Sequence, residues 1–415
     1  MSPSIELNSK RGQPLPLTSW LPVVIMGLMS LISYLDRSVL AILAPTILKD
    51  TGITAQQYFW VVSAFSIAYV VGNPFWGHLI DRFGPRTVVP IAVLVWTVAS
   101  VSHAYVATFL GFVVARIVLG FGEGATFPGG LRTVHDTLPE GSRGTGISIA
   151  YSGGSLGAII APLIITPVAL RFGWQAAFFV TGVVGIGWIL LWGATPRLTP
   201  SVRLPVDNKE NGPALKLRDR RLWAFIFLYA FGALPLAFGT YAAPLYLSRV
   251  LGLSQATIGK LVWLLPAGWE LGYIVAGQLF DRRKRTGKAL TPIWFRVVAL
   301  GFALPGLCLA ITASISSLPL VLLLLTLPMF TTGGLVIAAL RYGELSFPKR
   351  SGLIAGVGAG AWGAVVFCVM PLIGRYFDHA QYANAFQLVT VFPIIGLAGW
   401  QLLAFADHKS IRTIC

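Results

Sequence analysis

The chain has 415 residues, 55% of them hydrophobic and only 11% charged, with a mean hydropathy of +0.75 and a formal charge of +16. A soluble domain carries about 25% charged residues, so this composition cannot cover itself in water and instead suits a bilayer, where each crossing takes about 20 apolar residues. Cys308, Cys368 and Cys415 are scattered and odd in number, which gives neither a disulfide framework nor a metal spacing.

The placement of the basic residues argues against nucleic acid as their partner. They gather at alternate connections, as cytoplasmic loops do under the positive-inside rule. With the N-terminus inside, 22 of the 31 Lys and Arg, from Lys10 and Arg11 to Lys409 and Arg412, fall on the cytoplasmic side. Five, Lys49, Arg171, Arg249, Lys260 and Arg375, fall opposite, while Arg37, Arg116, Arg296 and Arg341 lie within or at the ends of spans. Both termini are therefore expected in the cytoplasm, which requires an even number of spans. No cleavable signal peptide is expected, because residues 1–19 are polar and the first apolar run is too long for one.

Hydropathy predicts spans near 20–46, 56–80, 87–106, 108–131, 144–170 and 174–195, then near 223–248, 256–280, 290–313, 318–341, 352–374 and 382–405. The expected fold class is an all-α membrane protein with twelve transmembrane helices in two pseudo-symmetric six-helix bundles. Its expected divisions are a cytoplasmic tail (1–19), a first bundle (20–195), a proline-containing cytoplasmic linker (196–222), a second bundle (223–405) and a cytoplasmic tail (406–415).

The first span contains LISYLDRSVLAILAPTI at 31–47, with Asp36 and Arg37 at membrane depth. An ionisable side chain there costs at least about 2.5–3.5 kcal/mol, so such residues face a bundle interior or a wet cavity and have partners. Helical neighbours are rotated by about 100°, so the two cannot share one partner. In the fourth span Arg116 and Glu123 are seven apart, on nearly one helix face. Desolvation favours a neutral carboxyl and a nearby arginine favours the anion, and a balance of the two leaves a carboxyl titratable. A purely structural Arg–Glu clasp is the alternative.

The two halves repeat. GHLIDRFGPR at 77–86 closes the second span and GQLFDRRKR at 277–285 closes the eighth, so Gly77, Asp81 and Arg82 recur as Gly277, Asp281 and Arg282. These segments read as a gate latch, with glycine allowing close packing and the charges pairing with neighbouring loops, rather than as a substrate site. LPEGSRG (138–144) and LSFPKRSG (345–352) repeat in the same way, each followed by a glycine-rich span whose small residues let backbones approach. Two parallel repeats with a site at their interface is the design of a large class of secondary transporters.

On these features the chain resembles the major facilitator superfamily over nearly its whole length. SYLDRSVLAILAP, RIVLGFGEGATFPGG (116–130), YSGGSLGAIIAP and FGWQAAFFVTGVVGIGWILLW (172–192) are more specific, and resemble the anion:cation symporter branch, closest to bacterial hexuronate and aldonate transporters. The resemblance implies a proton-carrying acid at Asp36, an arginine for the substrate carboxylate at Arg37, pocket tyrosines at Tyr34 and Tyr69, and a second protonation site at Glu123 with Arg116 as its coupling arginine. It further implies a bacterial inner-membrane location, a small organic anion as substrate, no cofactor beyond the coupling proton, and no need of a partner subunit. The sequence departs from the branch at Gly154, where some relatives have a polar pocket residue, in the aromatic block of the seventh span, and at Glu270, an extra acid in the eighth span and a third coupling candidate.

Two other readings compete. A drug/proton antiporter of the same fold would carry a G-x₃-G-P-x₂-G-G run in the fifth span, and Gly153, Gly154, Gly157 and Pro162 are spaced wrongly for it. A substrate sensor that binds without transport would differ only in net flux. An enzyme is not expected, because no nucleophile–base set, metal cluster or phosphate loop is present. His78, His103, His135, His379 and His408 are dispersed over loops and span ends.

Overall fold

A computed structural model describes residues 17–195, 216–347 and 351–404. Lys10, Arg11, Arg197, Arg203, Lys209, Lys349, Arg350, Lys409 and Arg412, with most of the expected tails and linker, lie outside the described residues. Seventeen helical segments carry the fold: α1 (Leu17–Ile42), α2 (Ala44–Thr51), α3 (Ala55–Phe83), α4 (Pro85–Ser102), α5 (Phe109–Glu123), α6 (Thr126–Thr137), α7 (Glu140–Phe172), α8 (Trp174–Ala194), α9 (Arg220–Ile226), α10 (Leu234–Tyr241), α11 (Ala243–Arg249), α12 (Gln255–Leu261), α13 (Leu264–Arg285), α14 (Pro292–Ala303), α15 (Leu318–Ser346), α16 (Ser351–Asp378) and α17 (Tyr382–Ala404). No strand occurs among the described residues.

Among the described residues, eleven helices are long and apolar enough to cross a membrane. The expected eighth crossing, α12 with α13, does not qualify by composition: it is broken at Val262–Trp263, carries Glu270, and ends in Arg282, Arg283, Lys284 and Arg285. It nevertheless packs in the eighth position, between α7 and α15, and completes the twelve passes. Large apolar side chains such as Val98, Leu110, Val183, Leu190 and Leu402 are mostly exposed, an apolar exterior that lipid, not water, accommodates.

Several crossings are broken, and the breaks repeat. Ala44-Pro45 starts α2 after a break at Leu43, and Ala243-Pro244 starts α11 after a break at Ala242. Proline cannot donate to the preceding turn, so the first and seventh spans kink at matching points. Glycines set the closest helix crossings. A Cβ on Gly153 or Gly157 would collide with the backbone oxygens of Gly27 and Leu31, which fixes α1 against α7. Gly72 and Gly120 do the same for α3 and α5, and Gly272 and Gly333 for α13 and α15.

The halves meet through α3 against α16 and through α7 against α12 and α13. Their polar contacts lie at the end opposite the linker. The Gln255 side chain donates to Ile42 O (2.9 Å) and accepts from Thr46 (2.9 Å), and Tyr58 donates to Tyr241 O (3.0 Å). The Asp378 carboxylate accepts from the backbone N–H of both Ala55 and Gln56, each at 2.8 Å. At the linker end, the ion pairs among the described residues stay within one half.

Candidate functional site

Asp36 and Arg37 are both buried, at 2% and 6% exposure, and they take separate partners. Asp36 turns toward α4 and α8, where its Oδ1 accepts from the Ser100 hydroxyl at 2.7 Å, and Ser100 lies 2.9 Å from the Thr181 hydroxyl. Arg37 turns toward α5, where its Nε donates to Glu123 Oε2 at 2.5 Å. The same oxygen accepts from Ser33 at 2.7 Å, one helical turn before Arg37. Glu123 is fully buried, and its Oε1 has no hydrogen-bond partner.

The guanidinium of Arg37 sits inside an aromatic cage. Its Cζ is 4.8 Å from the Tyr34 ring centre, 4.9 Å from Phe65 and 4.6 Å from Tyr69, within the range of cation–π attraction. Its second terminal nitrogen, Nη2, is buried without a partner. Arg116 is 2% exposed, and its Nε and Nη2 are likewise unpartnered. The expected Arg116–Glu123 pairing is therefore not what the structure forms. The two share a helix face, but α5 ends at Glu123, and Ser33 and Arg37 of α1 supply the donors its carboxylate takes. Two arginines, two acids and three rings are thus packed together in the first half, with buried donors left over on both arginines.

The second half contributes aromatic residues. Trp269 of α13 stacks on Tyr34 across the two halves, with ring centres 6.0 Å apart and planes 26° apart, and Tyr273 meets Trp269 edge-on at 5.2 Å. Tyr241 lies within electrostatic range of Arg37, Arg116 and Glu123, and Tyr229 within range of Tyr34 and Tyr69. The sequence offered few marks for these residues, because each sits in an apolar, aromatic-rich run. Gly154 now has a physical role as well. A Cβ there would lie 2.8–3.3 Å from the Tyr34 ring, so glycine leaves the room that Tyr34 fills.

Residues 26–362 match the family model described as Major Facilitator Superfamily. The chain belongs to the major facilitator superfamily. It is a multi-pass membrane transporter, not an enzyme. It is 27% identical over 410 residues to the hexuronate transporter of Escherichia coli K12, covering 92% of this chain and 94% of that protein. It is 31% identical over 281 residues to a probable sulfoacetate transporter of Cupriavidus necator, covering 63% and 65% of the two chains. Among solved structures, a bacterial homologue of the human lysosomal transporter Spinster, in an inward-facing and occupied conformation, superposes with a TM-score of 0.78 at 17% identity, covering 94% of this chain and 97% of that one.

The repeated loops of this superfamily member form matching ion pairs. Asp81 pairs with Arg132 at 3.3 Å, and Arg132 also holds Asp136 at 3.0 Å. In the second half Asp281 pairs with Arg341 at 3.1 Å, and Arg341 holds Glu344 at 3.1 Å. Arg86 donates to Thr195 O at 2.7 Å. The glycines do not act as expected in this conformation. A Cβ on Gly77 would make an ordinary contact with Pro128 at 3.5 Å, and one on Gly277 would meet nothing within 4 Å. Arg82 lies along the neighbouring Phe83 ring, at 5.3 Å, and Arg282 is exposed, so neither makes the loop's ion pair.

Proposed function

We propose that this protein imports a small organic monoanion, of the sugar-acid class, together with protons, by alternating access. The observation that carries the reading is the buried Arg37–Glu123 pair, flanked by the unpartnered donors of Arg116. One guanidinium faces two competing anions: the internal carboxylate of Glu123 and the carboxylate of an arriving substrate. A proton on Glu123, whose Oε1 has no other partner, removes the internal competitor. Arg37 Nε and Nη2 are then free for a substrate carboxylate, with Arg116 Nε and Nη2 available beside them. An arginine fork suits a carboxylate because it offers two parallel charge-assisted bonds. Proton and substrate thus load together, and neither is stable alone. Asp36, held apart by Ser100, is the second proton site of the scheme. Tyr34 and Tyr69 shape the sugar side.

The name of the hexuronate relative supports the substrate class, and the buried carboxylates support the proton as coupling ion. The distribution of Lys and Arg supports an inner-membrane orientation with both termini cytoplasmic, in which the structure's cross-half contacts close the periplasmic side. Arg37, Arg116, Glu123 and Trp269 all come from one chain, which supports the reading of a monomer.

The test is uptake of galacturonate and glucuronate into proteoliposomes under an imposed pH gradient. Wild type should accumulate substrate uphill, while Glu123→Gln and Asp36→Asn should lose pH-driven accumulation and retain some counterflow exchange. Full gradient-driven transport by both variants would remove these acids from the coupling scheme. Binding without net flux in wild type would identify a sensor.

A further inference from the structure

Glu270 is an acid inside α13 to which neither the ion pairs nor the proton scheme assigns a part. It makes no hydrogen bond or ion pair among the described residues. Its position is nevertheless specific. Pro266, Trp269, Glu270 and Tyr273 are spaced i, i+3, i+4 and i+7 and so share one face of α13. That face is turned to the first half: Pro266 lines a small cavity of about 30 Å³ with Ser38 and Ala158, and Trp269 stacks on Tyr34. Leu271, on the far side, is exposed, and Ile274, one turn beyond Glu270, is exposed as well, so Glu270 stands at the border of the face turned to the first half. Glu270 is partly exposed and lies within electrostatic range of Tyr273.

We propose that Glu270 makes the transporter selective for sugar acids with a single negative charge and rejects dicarboxylates. The proposal rests on the sugar-acid reading above. With the substrate carboxylate on Arg37 and Arg116, the Tyr34 ring beside Arg37 leads directly to Trp269, so the far end of the sugar reaches the face that carries Glu270. A hydroxyl there donates a hydrogen bond to the Glu270 carboxylate. A second carboxylate meets a like charge that has no ion-pair partner among the described residues. Specificity of this kind is built against the wrong ligand rather than for the right one. A like charge a few ångströms away in a partly wet site weakens binding on the order of 10-fold or more.

The experiment is calorimetric titration of the purified full-length protein with galacturonate, with galactarate, its dicarboxylate counterpart, and with the monomethyl ester of galactarate, which carries one charge. Wild type should bind galacturonate and the monoester within about 3-fold of each other, and galactarate about 10-fold or more weaker. Glu270→Gln, which keeps the shape and one acceptor oxygen for the sugar hydroxyl and removes the charge, should close the gap by tightening galactarate while weakening galacturonate a few-fold. Galactarate binding to wild type as tightly as galacturonate, or a gap that survives Glu270→Gln, overturns the proposal and leaves the sugar-acid reading standing. The monoester arm tests the charge even if the variant does not fold: a monoester as weak as galactarate also overturns it. Failure of every sugar acid to bind wild type removes both readings together.

Discussion

Asp378 offers a direct test of how the transporter closes at the end away from its linker. The first backbone N–H groups of α3 need acceptors, since a helix start leaves its first four without intrahelical partners. Two are satisfied locally by a capping box, in which Thr54 accepts from Gln57 N and the Gln57 side chain accepts from Thr54 N. The other two, on Ala55 and Gln56, are satisfied only by Asp378 of the opposite half, which also lies 3.7 Å from Arg249. A hydrogen bond to a charged group contributes about 1.5–3 kcal/mol. The Asp378 side chain is 25% exposed, so about 1 kcal/mol for each of the two bonds is the safer figure, and the long, exposed Arg249 pair adds little. Asp378→Ala should therefore lower the preference for closure at this end by about 2 kcal/mol, roughly 30-fold in the closed-to-open ratio. Asp378→Asn, which keeps one acceptor oxygen, should cost about half as much. A single cysteine at Ser38, buried between the halves, reports the opening in a background with Cys308, Cys368 and Cys415 replaced. Its reaction with a membrane-impermeant maleimide, added from the side opposite the linker, should rise in the order wild type, Asp378→Asn, Asp378→Ala, with the melting temperature of each half little changed. Equal labelling rates in all three would refute the assignment of closure to this contact.

The remaining predictions concern the binding site. Arg37→Lys should weaken sugar-acid binding roughly 10- to 150-fold, because lysine cannot reproduce the fork and a charge-assisted bond contributes about 1.5–3 kcal/mol. Titration of an uncharged amide analogue on wild type and Arg37→Ala checks this: the amide should lose affinity for wild type only, and losses that simply add would separate Arg37 from the carboxylate. Gly154→Ala should push Tyr34 off its stack with Trp269 and destabilise by about 1–3 kcal/mol, read as a lower melting temperature together with weaker binding. Gly153→Ala should cost more, because its Cβ would meet the fixed backbone oxygen of Gly27 instead of a movable ring. If Gly153→Ala melts like wild type, the α1–α7 crossing is looser than the structure has it.

Much of the fold is legible in the sequence because a bilayer imposes a coarse, long-wavelength pattern. Eleven of the crossings announce themselves by length and composition. The eighth is legible as well, near 256–280, although α13 is less apolar than the others because it carries Glu270 and ends in Arg282, Arg283, Lys284 and Arg285. In the duplicated D-R loops, Asp81 and Asp281 anchor matching pairs. Their partners, Arg132 and Arg341, come from the ends of other helices, and spacing along a chain says nothing about which helix stands opposite.

The same distinction governs the site. Asp36 and Arg37 stand out because charge at membrane depth is costly, and their divergence follows from helix geometry alone. That Arg37 holds Glu123, and that Arg116 does not, could not be read from a seven-residue spacing. It is decided by which side chains α1 brings to the end of α5, namely Ser33 and Arg37. The consequence for mechanism is considerable. A clasp within one helix would be a static feature of α5, indifferent to the state of the rest of the protein. On the function proposed above, a pair between α1 and α5 that engages Arg37 Nε would make proton, substrate and helix position one equilibrium. In that scheme neutralising Glu123 would free Arg37, and Arg37 lies against Tyr34, whose ring stacks on Trp269 in the other half. Charge at the centre of the first half is thereby connected, through two rings, to the helix that must move past it.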